Sequence, residues 1–281
     1  MAFQTKFFLV TIAFACLTQK LIHRKDTTMM ITLSGPIGAG KTTLTRLLAN
    51  QLGTKAFEEP VGNNPILPLF YSGNEEVARK KAQGDTKATN RYAFLLQIYY
   101  LNQRFDLIKQ ALQNDNNILD RSIYEDELFM HMNTKLGNAT EQEYAVYKHL
   151  LNNMMQELPY AAHKKGPDLM IYIHLDYSTM IHHIETRDRP YEQIDSDPSL
   201  VNYYQTLLKE YNHWTKTYDK SPLMTIDATK YDFVKNIEDT RHVLNSVYDQ
   251  LFFYNKISPA KLHELREKAE KLTKDDIPIT N

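Results

Sequence analysis

Cysteine is almost absent from this chain, which has only Cys16 among its 281 residues. A single cysteine excludes an internal disulfide framework and a zinc site built from cysteines. An excess of charge is also missing, because 33 Lys and Arg face 34 Asp and Glu, for a net charge of −1. We therefore expect neither nucleic acid nor an anionic membrane as a partner. The remaining composition, 42% hydrophobic and 24% charged, is typical of a globular protein.

Long apolar segments are scarce as well. The apolar run Phe7 to Leu17 directly follows Lys6, and its eleven residues are too few to span a bilayer as a helix. It resembles the apolar part of a signal peptide, but no small-x-small cleavage site follows it. We predict that residues 1–28 are an N-terminal extension outside the fold, arising from an upstream start codon, with a membrane anchor as the alternative.

Glycine is sparse, at nine residues, yet three of them fall between positions 35 and 40. The segment Gly35-Pro36-Ile37-Gly38-Ala39-Gly40-Lys41-Thr42-Thr43 contains a complete P-loop pattern, G-x-x-x-x-G-K-T. Glycines let backbone N–H groups approach a polyphosphate, and a following helix offers its free amides and positive dipole end. We predict that this segment binds ATP, that Lys41 contacts the β- and γ-phosphates, and that Thr42 is a Mg²⁺ ligand.

Apolar runs of strand length alternate with helical patterns around this loop. A strand is predicted just before it at 30–33, and others at 54–57, 117–120, 167–175 and 223–227. Strands that alternate with helices around a P-loop predict an α/β fold, with one parallel sheet flanked by helices on both faces. We assign residues 29–254 to this domain and residues 255–281 to a C-terminal helical tail.

Charged side chains follow two of the predicted strands. Glu59 comes after the second strand, and Asp120 and Arg121 end the third. The carboxyl ends of parallel strands face the crevice in which open α/β sheets bind ligands. An acidic residue there suits the water shell of Mg²⁺ and an arginine suits phosphate, so we add Asp120 to Thr42 as a predicted metal site.

The P-loop indicates nucleotide binding without defining the reaction. The GTPase patterns Asp-x-x-Gly and Asn-Lys-x-Asp do not occur, and neither does the Leu-Ser-Gly-Gly signature of transport ATPases. A small-molecule kinase remains as the interpretation that the motifs favour.

From about residue 30 to residue 250 the chain resembles the deoxynucleoside kinase family, and most of all its bacterial deoxyadenosine/deoxyguanosine kinase branch. Besides the P-loop, the resemblance is carried by Glu59-Pro60-Val61 with Asn64-Pro65, Phe94-Leu-Leu-Gln97, Asp120-Arg121-Ser122-Ile123-Tyr124, Arg187-Asp188-Arg189, and Ile226-Asp227 followed by Asp232-Phe233. Many families share the P-loop, whereas the other segments in this order are much more specific.

The resemblance implies roles that the chemistry supports. Glu59 would be the general base that removes the proton of a 5′-hydroxyl as the γ-phosphoryl group transfers. Arg121 would contact that hydroxyl and the incoming phosphate, with Lys41 as a further catalytic residue. Arg187 and Arg189 would be arginines of a lid that closes over the phosphates and neutralises developing charge.

Binding of the nucleoside is implied at five further positions. Tyr71 and Glu192 match positions that bind the 3′-hydroxyl, and Gln97 would recognise the base with Arg104 and Asp126 behind it. A glutamine amide pairs with a base edge through one donor and one acceptor, and a carboxylate accepts from an exocyclic amino group. This set favours deoxyadenosine, while deoxyguanosine and deoxycytidine remain possible substrates.

The loop that holds the adenine of ATP is matched by Tyr231, Asp232 and Phe233. The chain departs from the family at His183, where some members carry a further lid arginine. It departs again in the segment 74–89, which is longer than expected between the Tyr71 and Gln97 motifs.

Two other functions stay open at this point. A nucleoside monophosphate kinase would need additional arginines for the acceptor phosphate, and a regulatory P-loop protein would bind nucleotide without a chemical step. The resemblance also implies a homodimer, with the helices at 90–108 and 141–157 as candidate contacts. Use of ATP and Mg²⁺ favours the cytoplasm, without stable membrane association.

Overall fold

The structure, a computed structural model, describes residues 29–59, 64–113, 116–161 and 166–278. The predicted extension 1–28 lies outside the described residues. Five parallel strands form one sheet in the order β2-β3-β1-β4-β5. Their bounds are β1 Met30–Ser34, β2 Lys55–Phe57, β3 Asn117–Asp120, β4 Leu169–His174 and β5 Leu223–Asp227.

The helices of the described residues connect these strands and cover both faces of the sheet. They are α1 Lys41–Leu52, α2 Leu67–Ala82, α3 Arg91–Ala111, α4 Asp126–Lys135, α5 Glu141–Ala161, α6 Tyr177–Arg187, α7 Leu200–Thr217, α8 Ile237–Phe253 and α9 Pro259–Glu270. Within the described ranges, none of these helices combines the length and the apolarity that crossing a membrane would require.

The central strand β1 is buried along its whole length because helices pack on both of its faces. Ile31 and Leu33 join a core with α1, α6 and α8, whereas Met30 joins a second core with α3 and α5. This alternation follows from the period of two residues in a strand. The prediction of a parallel sheet with helices on both faces is confirmed.

The C-terminal segment, predicted as a helical tail, forms α9 and packs on the domain. Leu265 and Ala269 are fully buried in the core that also contains Leu48 of α1. Lys268 Nζ donates a hydrogen bond of 2.7 Å to the carbonyl oxygen of Asn50 at the end of α1. The helix that follows the P-loop is therefore supported by the C-terminal segment.

Helices α2 and α3 approach each other at Gly73. A Cβ atom added to Gly73 would overlap the side-chain oxygen of Asn90 and lie 2.8 Å from its Cγ. Asn90 caps α3 by accepting from the N–H of Tyr92 at 2.9 Å. Its amide donates to the carbonyl of Phe70 at 2.8 Å and to Asn74 Oδ1 at 2.7 Å. A glycine inside a helix, normally unfavourable, is needed here for close contact between two helices.

Candidate active site

A cavity of about 540 Å³ opens at the carboxyl ends of the strands, where α/β sheets bind ligands. On one side it is bounded by the P-loop and the start of α1, and on the other by α2 and α3. The predicted residues that line it are Ile37, Gly38, Ala39, Gly40, Lys41, Thr42, Thr43, Glu59, Tyr71, Gln97, Arg104, Asp120, Arg121, Arg187, Arg189, Glu192 and Asp232.

The P-loop occupies the turn between β1 and α1, as its pattern predicts. Gly40 has φ of 80°, a left-handed conformation, and a Cβ atom there would lie 3.0 Å from Cζ of Phe233. Glycine is therefore required at this position on both counts. Lys41 Nζ donates hydrogen bonds of 2.8 Å to the carbonyl oxygens of Gly35 and Pro36. Burial, reinforced by the nearby charge of Arg121, lowers the pKa of Lys41 to about 7.

Thr42 and Asp120 meet beside the P-loop, where the Thr42 hydroxyl donates to Asp120 Oδ2. The other carboxylate oxygen, Oδ1, is buried and has no hydrogen-bond partner among the described residues. Burial raises the pKa of Asp120, so a cation beside it would relieve a buried negative charge. Hydroxyl and carboxylate oxygens are the hard donors that Mg²⁺ prefers, so these residues fit a magnesium ion.

Thr42 and Asp120 would supply only two protein ligands, and so small a number also suits Mg²⁺. The described part of the chain contains no cluster of three or more His, Cys, Asp and Glu side chains able to hold a metal. Mg²⁺ is usually bound by one or two carboxylates together with substrate phosphates and water, rather than by an all-protein cage.

Glu59 is held between two arginines in the same cavity as the P-loop. Its Oε2 accepts from Arg121 Nε at 2.8 Å, and its Oε1 accepts from Arg104 Nη2. Burial raises the pKa of Glu59, but the two arginines together lower it by more, to about 2. Glu59 is therefore ionised at neutral pH and can accept a hydrogen bond from a substrate hydroxyl.

Arg121 has a backbone conformation that is rare for a residue with a side chain. Its φ is 82°, in the left-handed region, which costs about 1–3 kcal/mol at a non-glycine position. Its N–H donates at 3.0 Å to the carbonyl of Leu33, so the pairing of β3 with β1 continues to this residue. The guanidinium lies 5.1 Å over the ring of Phe129. Strand pairing and ring stacking thus fix the direction of the arginine.

The predicted base-recognition residues lie on α3 and α4. Gln97 and Arg104 are seven positions apart on α3, and both line the cavity. Arg104 Nη1 forms an ion pair with Asp126, which is completely buried and does not line the cavity. The same guanidinium reaches Glu59, so Arg104 bridges the predicted base-recognition carboxylate and the predicted general base.

The predicted lid arginines converge on the predicted sugar-binding carboxylate. Arg187 Nη2 pairs with Glu192 Oε2, and Arg189 Nη1 lies 3.6 Å from Oε1. Next to Glu192, the ring of Tyr191 lies 5.1 Å from that of Tyr71, measured between centroids. The groups predicted for phosphate and for the 3′-hydroxyl are therefore neighbours in space.

The predicted adenine loop is only partly at the cavity. Asp232 lines it, and so do the following residues Val234 and Lys235. The ring of Tyr231 stacks on His242 with centroids 4.4 Å apart. Phe233 is 2% exposed and packs beneath Gly40, so its side chain supports the P-loop instead of lining the cavity.

Several residues that the sequence did not single out for the site also contribute. These are Tyr100, Phe129 and Tyr203, which line the cavity. His183, named above as a departure from the family pattern, also lines it, and its Nδ1 lies 2.8 Å from the carbonyl oxygen of Gly38. Tyr100 lies three positions after Gln97 on α3, a spacing that places both side chains on one helix face and could have revealed it. Tyr203 lies on α7, far away in sequence, and no local pattern marks it.

The fold and the cavity define a P-loop phosphotransferase of the α/β class. The family model described as deoxynucleoside kinase matches residues 31–252. The chain thus belongs to the deoxynucleoside kinase family, whose members are ATP-using phosphotransferases.

The chain is similar to the deoxyguanosine kinase of Lactobacillus acidophilus, with 50% identity over 222 residues, which cover 79% of this chain and 90% of the relative. It is also similar to the deoxyadenosine kinase of the same organism, at 46% identity over 79% of this chain and 96% of the relative. Among solved structures, the deoxyadenosine kinase of M. mycoides with bound dCTP matches with TM-score 0.55 and 30% identity. That match covers 71% of this chain and 90% of the other.

Proposed function

We propose that this deoxynucleoside kinase transfers the γ-phosphoryl group of ATP, with Mg²⁺, to the 5′-hydroxyl of a purine deoxynucleoside. One observation carries the proposal. The Glu59 carboxylate is held by Arg121 and Arg104 at the junction between the P-loop and a pocket lined by Gln97 and Tyr71. A general base placed between a phosphate-binding loop and a pocket with these polar side chains suits a hydroxyl acceptor.

In this mechanism Glu59 accepts the hydrogen bond of the 5′-hydroxyl and takes its proton during transfer. Arg121 lowers the pKa of Glu59, so sharing of the Arg121 guanidinium with the incoming phosphate would weaken this effect and make Glu59 a stronger base when the proton must leave. Lys41 would exchange its two carbonyl partners for phosphate oxygens. Mg²⁺, held through Thr42 and Asp120, would neutralise charge on the β- and γ-phosphates.

Arg187 and Arg189 complete the donor side of the proposed site. Both now face Glu192, and both are partly exposed at the cavity. A sugar 3′-hydroxyl that binds Glu192 would compete with the arginines for this carboxylate. Binding of the nucleoside would thus free positive charge for the phosphates, where charge develops in the transition state.

For the base, the sequence favours deoxyadenosine, and similar proteins include both a deoxyguanosine kinase and a deoxyadenosine kinase. Asp126 is buried behind Arg104, so the base would meet the Gln97 amide and the guanidinium edge first. An amide presents a donor and an acceptor to either purine. We therefore propose purine deoxynucleosides as the substrate class, with deoxyadenosine as the expected best substrate.

The deciding experiment supplies ATP and Mg²⁺ with each of the four deoxynucleosides, adenosine, dAMP and dGMP as acceptors. We expect the purine deoxynucleosides to be phosphorylated faster than adenosine and both monophosphates. Fast phosphorylation of dAMP or dGMP would instead indicate a monophosphate kinase. ATP binding without phosphorylation of any acceptor would indicate a binding protein and defeat the proposal.

We also propose a homodimer in the cytoplasm, with residues 29–254 as the kinase domain and residues 1–28 as a dispensable extension. Leu95 of α3 and Val146 of α5 are exposed apolar side chains on the two candidate helices, at 44% and 58%. Sedimentation of the protein and of the Leu95→Glu/Val146→Glu variant tests the interface, and a monomeric parent would refute it.

The proposal for residues 1–28 is tested separately. A version of the protein that starts at Met29 should keep its turnover.

A further inference from the structure

Glu125 is a completely buried carboxylate that the proposed chemistry does not use. It lies in the short turn Ile123–Glu125 that follows β3. Its Oε1 accepts from the N–H of Ser122 at 3.2 Å and lies 3.5 Å from Arg121 Nη1. Its Oε2 accepts from the N–H of Gly35 at 3.3 Å. One carboxylate therefore contacts both the first glycine of the P-loop and the arginine at the end of β3.

Tyr211, on α7, completes this contact from a third segment. Its hydroxyl lies 2.9 Å from Glu125 Oε2 and 2.8 Å from the carbonyl oxygen of Gly35. It also accepts a hydrogen bond of 3.2 Å from Arg121 Nη1. The ring is fully buried, so these groups meet without competition from bulk water. Segments 86 and 176 residues apart are joined at one point.

The capping of the turn by Glu125 does not by itself explain why a carboxylate is buried at this position. Ser122 and Glu125 form a capping box, and glutamine serves as well as glutamate at that position. A buried carboxylate is costly unless charged or multiple donors surround it. Here the donors beyond the cap are the Arg121 guanidinium, the Gly35 amide and the Tyr211 hydroxyl, which come from three separate segments of the chain.

We propose that Glu125 and Tyr211 are a positioning pair that fixes Arg121 relative to the P-loop. Arg121 donates through Nε to Glu59 and through Nη1 to this pair, so it is held from both ends. The pair sets the distance between the acceptor side at Glu59 and the donor side at Gly35. This inference rests on the proposed role of Arg121 in phosphoryl transfer.

Tyr211→Phe removes only the hydroxyl, and Glu125→Gln keeps the cap while it removes the charge. We expect each variant to lower kcat by about 10- to 100-fold, because small displacements of a catalytic group have effects of that size. The KM values for ATP and the deoxynucleoside should change by less than about 3-fold. Unchanged kcat in Tyr211→Phe would overturn the inference.

Tyr172→Phe is the matched control. The Tyr172 ring stacks on Tyr211 with centroids 5.6 Å apart, and its buried hydroxyl has no partner among the described residues. The Tyr172→Phe variant also loses a tyrosine hydroxyl, but one that makes no hydrogen bond to Arg121 or Glu125. Its kcat should therefore equal that of the parent. An equal loss of kcat in Tyr172→Phe and Tyr211→Phe would show that the loss comes from packing and would refute a positioning role.

A double-mutant cycle separates positioning from a purely structural role. In an Arg121→Ala background, Glu125→Gln should change kcat by less than about 2-fold, since the arginine through which it acts is gone. Effects that multiply independently would overturn the inference.

A crystal structure of Tyr211→Phe provides a readout that does not depend on activity. Displacement of Arg121 from Glu59 is expected, and an unmoved Arg121 would refute the positioning pair. If the parent phosphorylates no nucleoside, the proposed function fails, while this structural result still decides whether the pair holds Arg121.

Discussion

Replacement of Gly73 by alanine should destabilise the protein, although the same change inside most helices is stabilising. Alanine is favoured over glycine in a helix interior by about 1 kcal/mol. At Gly73 the added methyl group would occupy the position of the Asn90 side-chain oxygen. Asn90 would have to leave, and with it the cap of α3 and two buried hydrogen bonds.

The expected magnitude follows from these contacts. Loss of an asparagine N-cap costs about 1 kcal/mol, and each neutral hydrogen bond contributes about 1 kcal/mol. A loss of about 3 kcal/mol against a gain of about 1 kcal/mol leaves a net destabilisation of about 2 kcal/mol. For a protein of this size that corresponds to a thermal midpoint lower by about 4–8 °C.

Calorimetry of Gly73→Ala, Asn90→Ala and the double variant tests the sign as well as the size. Once Asn90 is truncated, the steric conflict is absent, and Gly73→Ala should stabilise by about 1 kcal/mol. Tyr71 precedes Gly73 by one half-turn, so the single variant should also raise KM for the deoxynucleoside more than KM for ATP. If Gly73→Ala stabilises the parent, or has the same effect in both backgrounds, the reasoning about Asn90 is wrong.

Further predictions concern the charged groups of the cavity. Glu59→Gln should lower kcat by about 10²–10⁴ while ATP binding, measured by calorimetry, is retained; unchanged turnover would remove Glu59 from the mechanism. Because Arg121 and Arg104 hold the pKa of Glu59 at about 2 against the opposing effect of burial, ionised Glu59 contributes stability above its ordinary pKa of 4.5. That contribution is lost as the pH falls towards 2, so the thermal midpoints of parent and Glu59→Gln should converge over this window. Asp120→Asn should raise the Mg²⁺ concentration for half-maximal rate by about 10-fold or more, and an unchanged Mg²⁺ titration would argue against Asp120 as a ligand.

Much of the site could be predicted because parallel strands bring their carboxyl ends to one edge. Glu59 follows β2, Asp120 ends β3 and Arg121 comes directly after it, so their proximity to the P-loop follows from topology alone. The helix at Gln97 and Arg104 was also predictable, since their spacing of seven residues keeps both on one face.

Contacts between distant segments could not be predicted in this way. The polar segment 74–89 predicts a surface position, and most of it is exposed, but its sequence does not show that α2 continues to Ala82 and buries Asn74 and Val77. No sequence pattern near Gly73 predicts that Asn90 is its neighbour in the fold. The same holds for Glu125 and Tyr211, whose hydrogen bond depends on how α7 packs against the turn after β3.

The left-handed backbone of Arg121 also restricts which substitutions this position can tolerate during evolution. Glycine or asparagine would relax the backbone, but each would leave Glu59 and Glu125 without their shared cation. Lysine would keep the charge but lose the planar fork that reaches both carboxylates. Every replacement therefore gives up either the charge or the geometry, and a saturation library should return arginine almost alone at residue 121.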